Sequence, residues 1–186
     1  MNRIILASQS PRRKQLLEWA EIPFDVIVSN TDETFPAELD FEEAAIHIAR
    51  EKAKAVSAIS HSSLPVLAAD TIVICNDELL GKPVDEEDAL RMLKMLSGNT
   101  HEVITGVVIH SPNKEISFAD STTVEFNSLG EDELRHYIRT YKPFDKAGAY
   151  AIQEWIGVVG IKRISGDFYN VMGLPVNRVV KALREW

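Results

Sequence analysis

The chain reads as a mixed α/β protein, an open sheet with helices packed around it. Three stretches predict this. Ile4-Ile5-Leu6-Ala7 followed by Ser8-Gln9-Ser10-Pro11-Arg12-Arg13 and a helix-like run reads as strand, tight turn and helix start. Val66 to Ile74 is a continuous apolar run rich in β-branched residues, the pattern of a central strand covered on both faces. Thr100 to His110 and Glu115 to Phe126, separated by Ser111-Pro112-Asn113-Lys114, form a long antiparallel hairpin pattern. Strands and helices therefore alternate first and a hairpin intervenes later, so the sheet is mixed and the hairpin half is a candidate second lobe.

At 186 residues with 45% hydrophobic and 26% charged residues, the chain has ordinary globular composition. A net charge of −8 without a basic tail argues against general nucleic-acid binding. One cysteine, Cys75, excludes an internal disulfide and any cysteine-rich metal site, and suits a reducing compartment, with the cytoplasm as the default. No apolar stretch approaches the ~20 residues needed to span a bilayer, and the N-terminus lacks a signal-peptide pattern, so a soluble protein is expected.

Within the first turn, Ser10 is a good N-cap and Pro11 suits the first helical position. A helix start presents unpaired N–H donors to anions, and here Ser8, Ser10, Arg12 and Arg13 add hydroxyls and guanidiniums at the same place. Phosphate is the expected ligand. Phe24 to Val28 reads as a strand whose polar exit carries Asp32 and Glu33. Asp40 with Glu43 makes a capping-box pattern for a helix running to about Ile59. On its wheel Phe41, Ala45, Ile48, Val56 and Ile59 share a face, and Lys52 falls in the middle of it. Such a lysine either snorkels to the rim or meets an anion inside.

Asp70 interrupts the central strand, where a carboxylate needs a cation, a metal or hydrogen-bond donors. Glu78 to Leu80 reads as a short return strand, and Gly81-Lys82-Pro83 as a rigid exit presenting Lys82. Asp85 caps a helix with Ala89, Leu93 and Leu96 inward, ended by Gly98-Asn99. After the hairpin, Ser128 to Tyr141 is helix-like with Leu134, Tyr137 and Ile138 inward, and Pro143 marks its end. Phe144 to Gln153 is small and glycine-bearing, which permits close approach by a ligand or a neighbouring strand. Ile156 to Ile164 reads as a strand, Gly166 to Asn170 as a loop, and Leu174 to Trp186 as a C-terminal helix introduced by Pro175. His101 and His110 read as structural or exposed.

Arg12 with Arg13, Lys52 and Lys82 are phosphate-type cations, and Glu33 and Asp70 are carboxylates, all at element ends or at oddly buried positions. Together they point to phosphate plus a divalent metal, since carboxylates hold Mg²⁺ or Mn²⁺ while the metal bridges phosphate oxygens. That defines a class of phosphoryl or nucleotidyl chemistry.

The successive motifs Ser8-x-Ser10-Pro11-Arg12-Arg13, Asp32-Glu33, Glu51-Lys52-Ala53, Ala69-Asp70-Thr71, Gly81-Lys82-Pro83, Ser97-Gly98 with Thr105-Gly106, Asp145 to Tyr150 and Gly166 to Pro175 resemble those of the Maf family, over nearly the whole chain. The resemblance implies one Maf-like domain over 1–186, with the inosine triphosphate pyrophosphatase fold: an elongated mixed sheet in two lobes around a central cleft that holds the nucleotide. It implies hydrolysis of a nucleoside triphosphate to the monophosphate and pyrophosphate. Asp70 would be the general base or a metal-bound carboxylate, and Glu33 would share the metal. Arg12, Arg13, Lys52 and Lys82 would hold the triphosphate, with Ser8 and Ser10 donating hydrogen bonds. Arg12, Thr71 and Gln153 resemble the branch that takes dTTP and UTP, and modified pyrimidine nucleotides fit the same contacts. A nucleotide-binding regulator that inhibits septum formation is the alternative from a different class. Expected partners are therefore dTTP and UTP, with no nucleic acid and no membrane, and homodimerisation is left open.

Overall fold

A computed structural model of the chain describes residues 2–186. In chain order the elements are β1 (Ile4–Leu6), α1 (Pro11–Trp19), β2 (Phe24–Val26), α2 (Phe41–Ser60), β3 (Val66–Cys75), β4 (Glu78–Leu80), α3 (Glu86–Leu96), β5 (Thr100–Ser111), β6 (Lys114–Phe126), α4 (Glu131–Tyr141), a 3-10 turn at Ala147–Ala149, α5 (Trp155–Gly160), β7 (Ile161–Ser165), α6 (Phe168–Val171) and α7 (Val176–Arg184). Among the described residues the strands form one sheet in the order β2-β1-β3-β5-β6-β7, with β4 added beside β3. The sheet is mixed: β1 pairs in parallel with β2 and β3, whereas β3 with β4 and β6 with β7 are antiparallel. No helix among the described residues is long and apolar enough to cross a membrane.

The chain divides into two compact units. The first comprises Met1–Thr71, Ile104–Asp120 and Gly173–Trp186. Its centre is α2 against the sheet, where Ile5, Ala7, Ala49, Ala53, Val56, Val66, Ala68 and Val108 cluster out of solvent. The capping box at the start of α2 forms as expected, with the Asp40 carboxylate accepting from the Glu43 N–H at 2.8 Å and Glu43 reaching back to the Asp40 N–H at 3.2 Å. Such caps contribute about 1 kcal/mol. The helix lies unusually close to β5 because the residues between them are small. A Cβ on Gly106 would sit 2.2 Å from the carbonyl carbon of Ala45, so only glycine fits beneath this turn of α2. Ile59, expected on the inward face, is 52% exposed. The buried cluster ends at Val56, and the last turn of the helix carries Ile59 past it.

The second unit comprises Ile72–Val103 and Ser121–Met172. Here α3 and α4 pack together, burying Leu93, Leu96, Leu134 and Tyr137. The expected strand from Ile156 is corrected: Trp155–Gly160 is the short helix α5, and only Ile161–Ser165 pairs with β6. Ile156 and Gly160 are buried while Val158 and Val159 face solvent, which is a helical spacing hidden in a short β-branched run. Helix α4 also starts later than expected, because Gly130 occupies the N-cap and Glu133 accepts from its N–H at 2.8 Å. The expected Gly166 to Asn170 loop holds the start of α6, capped by the Asp167 carboxylate on the Tyr169 N–H.

Candidate active site

In unit 1 the β1-α1 turn is built as its sequence predicts. Pro11 is the first helical residue, and the Ser10 hydroxyl accepts from the Arg13 N–H at 3.4 Å. The Ser8 hydroxyl accepts from the Ser10 N–H at 3.2 Å and from the Arg13 guanidinium at 3.3 Å. Both hydroxyls thus act as acceptors towards the protein, and each keeps its own proton to donate. Arg12 lies half-buried in the first turn of α1.

Arg13 crosses from α1 to the start of the C-terminal segment. Its Nε donates to the Gly173 carbonyl at 2.7 Å and its Nη2 to the Thr71 hydroxyl at 3.0 Å. Thr71 in turn lies 3.0 Å from the hydroxyl of Thr105, which is fully buried on β5. The acceptors that touch this guanidinium are a carbonyl and two hydroxyls, all neutral. Burial lowers its pKa from the ordinary arginine value, opposed chiefly by the field of Asp70. A cation held in this way keeps its charge for an anionic ligand.

Lys52 meets anions inside, which decides between the two fates open to it. Its ammonium donates to Asp70 Oδ1 at 2.6 Å and to Glu33 Oε1 at 2.8 Å. Helix α2, pressed onto the sheet through Gly106 and its alanines, delivers the ammonium to the middle of β3, where Asp70 is buried. Glu33 arrives from the loop after β2 and is 45% exposed in its side chain, so the pair opens to solvent on the Glu33 side. Two carboxylates converging on one ammonium also suit a divalent cation of the Mg²⁺ type, which takes one or two protein carboxylates and completes its shell with phosphate oxygens and water. Among the described residues no group of three or more His, Cys, Asp or Glu could form a metal cage. A metal held here would need further ligands from substrate or water.

Within unit 1 the structure thus joins Ser8, Ser10, Arg13 and Thr71 in one set of contacts and Glu33, Lys52 and Asp70 in another, with Arg12 in the first turn of α1. Lys82 and Gln153 belong to unit 2. Lys82 is exposed just after β4, where the Gly81 carbonyl accepts from the Gly148 N–H at 3.1 Å. Gly148 has φ +68°, and a Cβ there would lie 3.0 Å from Val73, so the glycine-bearing stretch serves close packing on β3. Gln153 is exposed on the turn between Ala151 and Glu154. Behind that stretch, His101 Nε2 lies 2.7 Å from the Tyr150 hydroxyl, and both rings meet Phe126 edge-on. Burial pushes the His101 pKa down to about 4, so the ring is neutral and structural. Sequence reasoning gave no role to Thr105, to the Gly173 carbonyl, or to Tyr137 and Glu154 beside Gln153. Thr105 and Gly173 lie inside recognised motifs, but only the folded chain shows what they touch.

A family model described as Maf-like protein matches residues 3–186. The chain is 52% identical over 182 residues to a protein of Cytophaga hutchinsonii named dTTP/UTP pyrophosphatase, covering 98% of this chain and 83% of that one. A protein of the same name from Bacillus mycoides is 46% identical over 186 residues, covering 100% of this chain and 96% of that one. Among solved structures, the Ham1 protein of Staphylococcus aureus gives a TM-score of 0.50 at 18% identity over 99% of both chains. The HAM1 protein of Coxiella burnetii gives 0.51 at 18% identity over 100% of both. These two likenesses show the fold.

Proposed function

The chain belongs to the Maf family, and we propose that it hydrolyses dTTP and UTP to the nucleoside monophosphate and pyrophosphate. The observation that carries the reading is the Glu33-Lys52-Asp70 arrangement beside a guanidinium held by neutral acceptors. It combines a buried carboxylate able to take a proton with cations able to face phosphate.

In this reading Asp70 accepts a proton from a water that attacks the α-phosphorus, and the bond from that phosphorus to the bridging oxygen of the leaving pyrophosphate breaks. Lys52 orients Asp70 through its 2.6 Å hydrogen bond, and its third N–H remains to meet a phosphate oxygen. Arg12 and Arg13, with Ser8 and Ser10, bind the triphosphate at the start of α1. Glu33 and Asp70 would together hold a Mg²⁺ or Mn²⁺ ion, which when bound neutralises phosphate charge and activates the water. The roles of Lys82 on the triphosphate and of Gln153 on the pyrimidine edge are supported by the family resemblance, as is the part of Arg12 and Thr71 in base preference. The contacts of Thr71 with Arg13 and Thr105 favour an indirect part, exerted through Arg13.

Pyrophosphate release from a panel of nucleoside triphosphates, with Mg²⁺ or Mn²⁺, tests the reading directly. Release is expected to be fastest from dTTP and UTP and to vanish in Asp70→Asn with the fold intact. Near-normal turnover in that variant overturns the mechanism.

A further inference from the structure

A turn that presents one amide side chain from an exposed position needs something rigid beneath it if that amide is to read a base. In unit 2 the turn Ala151–Glu154 closes on itself through the Glu154 N–H and the Ala151 carbonyl at 3.1 Å. Both ends of it are tied to a single atom. The Tyr137 hydroxyl accepts from the Ala151 N–H at 3.1 Å and donates to the Glu154 carboxylate. Tyr137 is fully buried on α4 and stacks on Tyr141 with ring centroids 5.0 Å apart, so the hydroxyl is itself fixed. The other oxygen of Glu154 faces the buried ammonium of Lys146 at 3.5 Å, which also pairs with Asp145 at 2.8 Å. On the far side, the Ile152 carbonyl lies where a Cβ on Gly157 would be, 1.7 Å away, so the backbone has no room to shift that way. Gln153 is the residue of this turn whose side chain is exposed.

We infer that Tyr137 is a positioning residue for base selection, acting through Gln153 by holding both ends of the turn that carries it. This rests on the reading that Gln153 meets the pyrimidine edge. The chemistry explains why positioning matters. A uracil or thymine edge offers a carbonyl acceptor beside an N–H donor, and a cytosine edge offers the reverse. A primary amide matches either one by turning over. Discrimination between UTP and CTP then depends on the turn holding the amide in one orientation and at one depth.

The test is the ratio of kcat/KM for UTP to that for CTP, measured in the wild type, Tyr137→Phe, Gln153→Ala and the double variant. Removing the hydroxyl is expected to cut the ratio by about tenfold, mainly through KM for UTP, with kcat within about twofold, the size of one lost hydrogen bond. In the Gln153→Ala background the same change is expected to move the ratio by less than about twofold, because the residue through which it acts is gone. A ratio lost in Gln153→Ala but kept in Tyr137→Phe overturns the positioning role alone. An equal fall in kcat for both nucleotides, with the ratio unchanged, assigns Tyr137 a purely structural part and also overturns it. A ratio unchanged in Gln153→Ala removes base reading by Gln153 and this inference with it, while leaving the pyrophosphatase chemistry standing. Should Tyr137→Phe fail to fold, Glu154→Gln keeps the side-chain shape and loses the pairing with Lys146. A roughly threefold loss of the ratio is expected there, and an unchanged ratio overturns the inference.

Discussion

Adding one methyl group beneath α2 tests whether the packing of that helix sets the chemistry. In Gly106→Ala the new Cβ would meet the Ala45 carbonyl carbon at 2.2 Å, the Ile46 nitrogen at 2.3 Å and the Ala45 oxygen at 2.5 Å. All three are backbone atoms, so no side-chain rotation relieves them. Reaching ordinary contact at 3.4 Å requires α2 to back away from β5 by about 1 Å. Lys52 stands two turns further along the same rigid helix, and its bonds of 2.6 and 2.8 Å to Asp70 and Glu33 would open towards the limit of hydrogen bonding. Overpacking of this kind costs about 1–3 kcal/mol, roughly a 5 °C fall in melting temperature for a chain of this size. A misplacement of about 1 Å at a catalytic group costs on the order of 100-fold in rate. The assay is therefore paired: a thermal melt, and kcat for pyrophosphate release from dTTP. Gly81→Ala serves as the stability control, because a Cβ there has nothing within 4 Å. Wild-type kcat in a folded Gly106→Ala variant would refute the idea that helix-to-sheet distance places Lys52.

The buried His101 and the three-acceptor fork of Arg13 each carry a further prediction. The folded His101 ring, with its pKa near 4, stays neutral while the unfolded chain takes up a proton near 6.5. Stability is therefore fully present above about pH 6.5 and is lost as pH falls through the window from 6.5 to 4, by roughly 3 kcal/mol in all. Chemical denaturation of wild type and His101→Asn at pH 7.5 and 4.5 should show the wild type losing more, and parallel profiles would contradict the assignment. Arg13→Lys replaces a planar fork that meets three acceptors with one ammonium that cannot span them, so KM for dTTP should rise at least about tenfold. An unchanged KM would place the triphosphate elsewhere.

The parts of the site legible in the sequence were those in which local chemistry and fold agree. Ser10-Pro11 starts α1 because both residues prefer those positions in any context, and Asp40 with Glu43 caps α2 for the same reason. Asp70 stood out because a carboxylate in a β-branched run is costly without a partner, and the structure supplies Lys52. The errors fell where short segments carry ambiguous periods. Ile156 to Gly160 is a short β-branched run, too short to separate strand from helix by composition. Thr105 and Tyr137 escaped for a different reason. Tyr137 reads as an ordinary inward residue of a helix and Thr105 only as part of a motif, and their importance lies in one hydroxyl each, whose partners come from segments distant in sequence.

A chain with net charge −8 that binds a triphosphate must confine its positive charge, and two half-buried cations of unit 1, Lys52 and Arg13, show how. Lys52 is neutralised by two carboxylates, and a pair of acids with one ammonium still leaves excess negative charge at Asp70 and Glu33. That excess is what attracts a divalent ion. Arg13 is treated in the opposite way, held in place by a carbonyl and two hydroxyls that fix its geometry without cancelling its charge. Exchanging the two environments would defeat both tasks. A guanidinium set between two carboxylates would have its charge cancelled before a phosphate arrived, and a Lys52 held by neutral acceptors would leave Asp70 buried with no hydrogen-bonded cation. The separation of the two depends on backbone placement: the β1-α1 turn aims Arg13 at Gly173 and Thr71, while Gly106 lets α2 bring Lys52 down to Asp70.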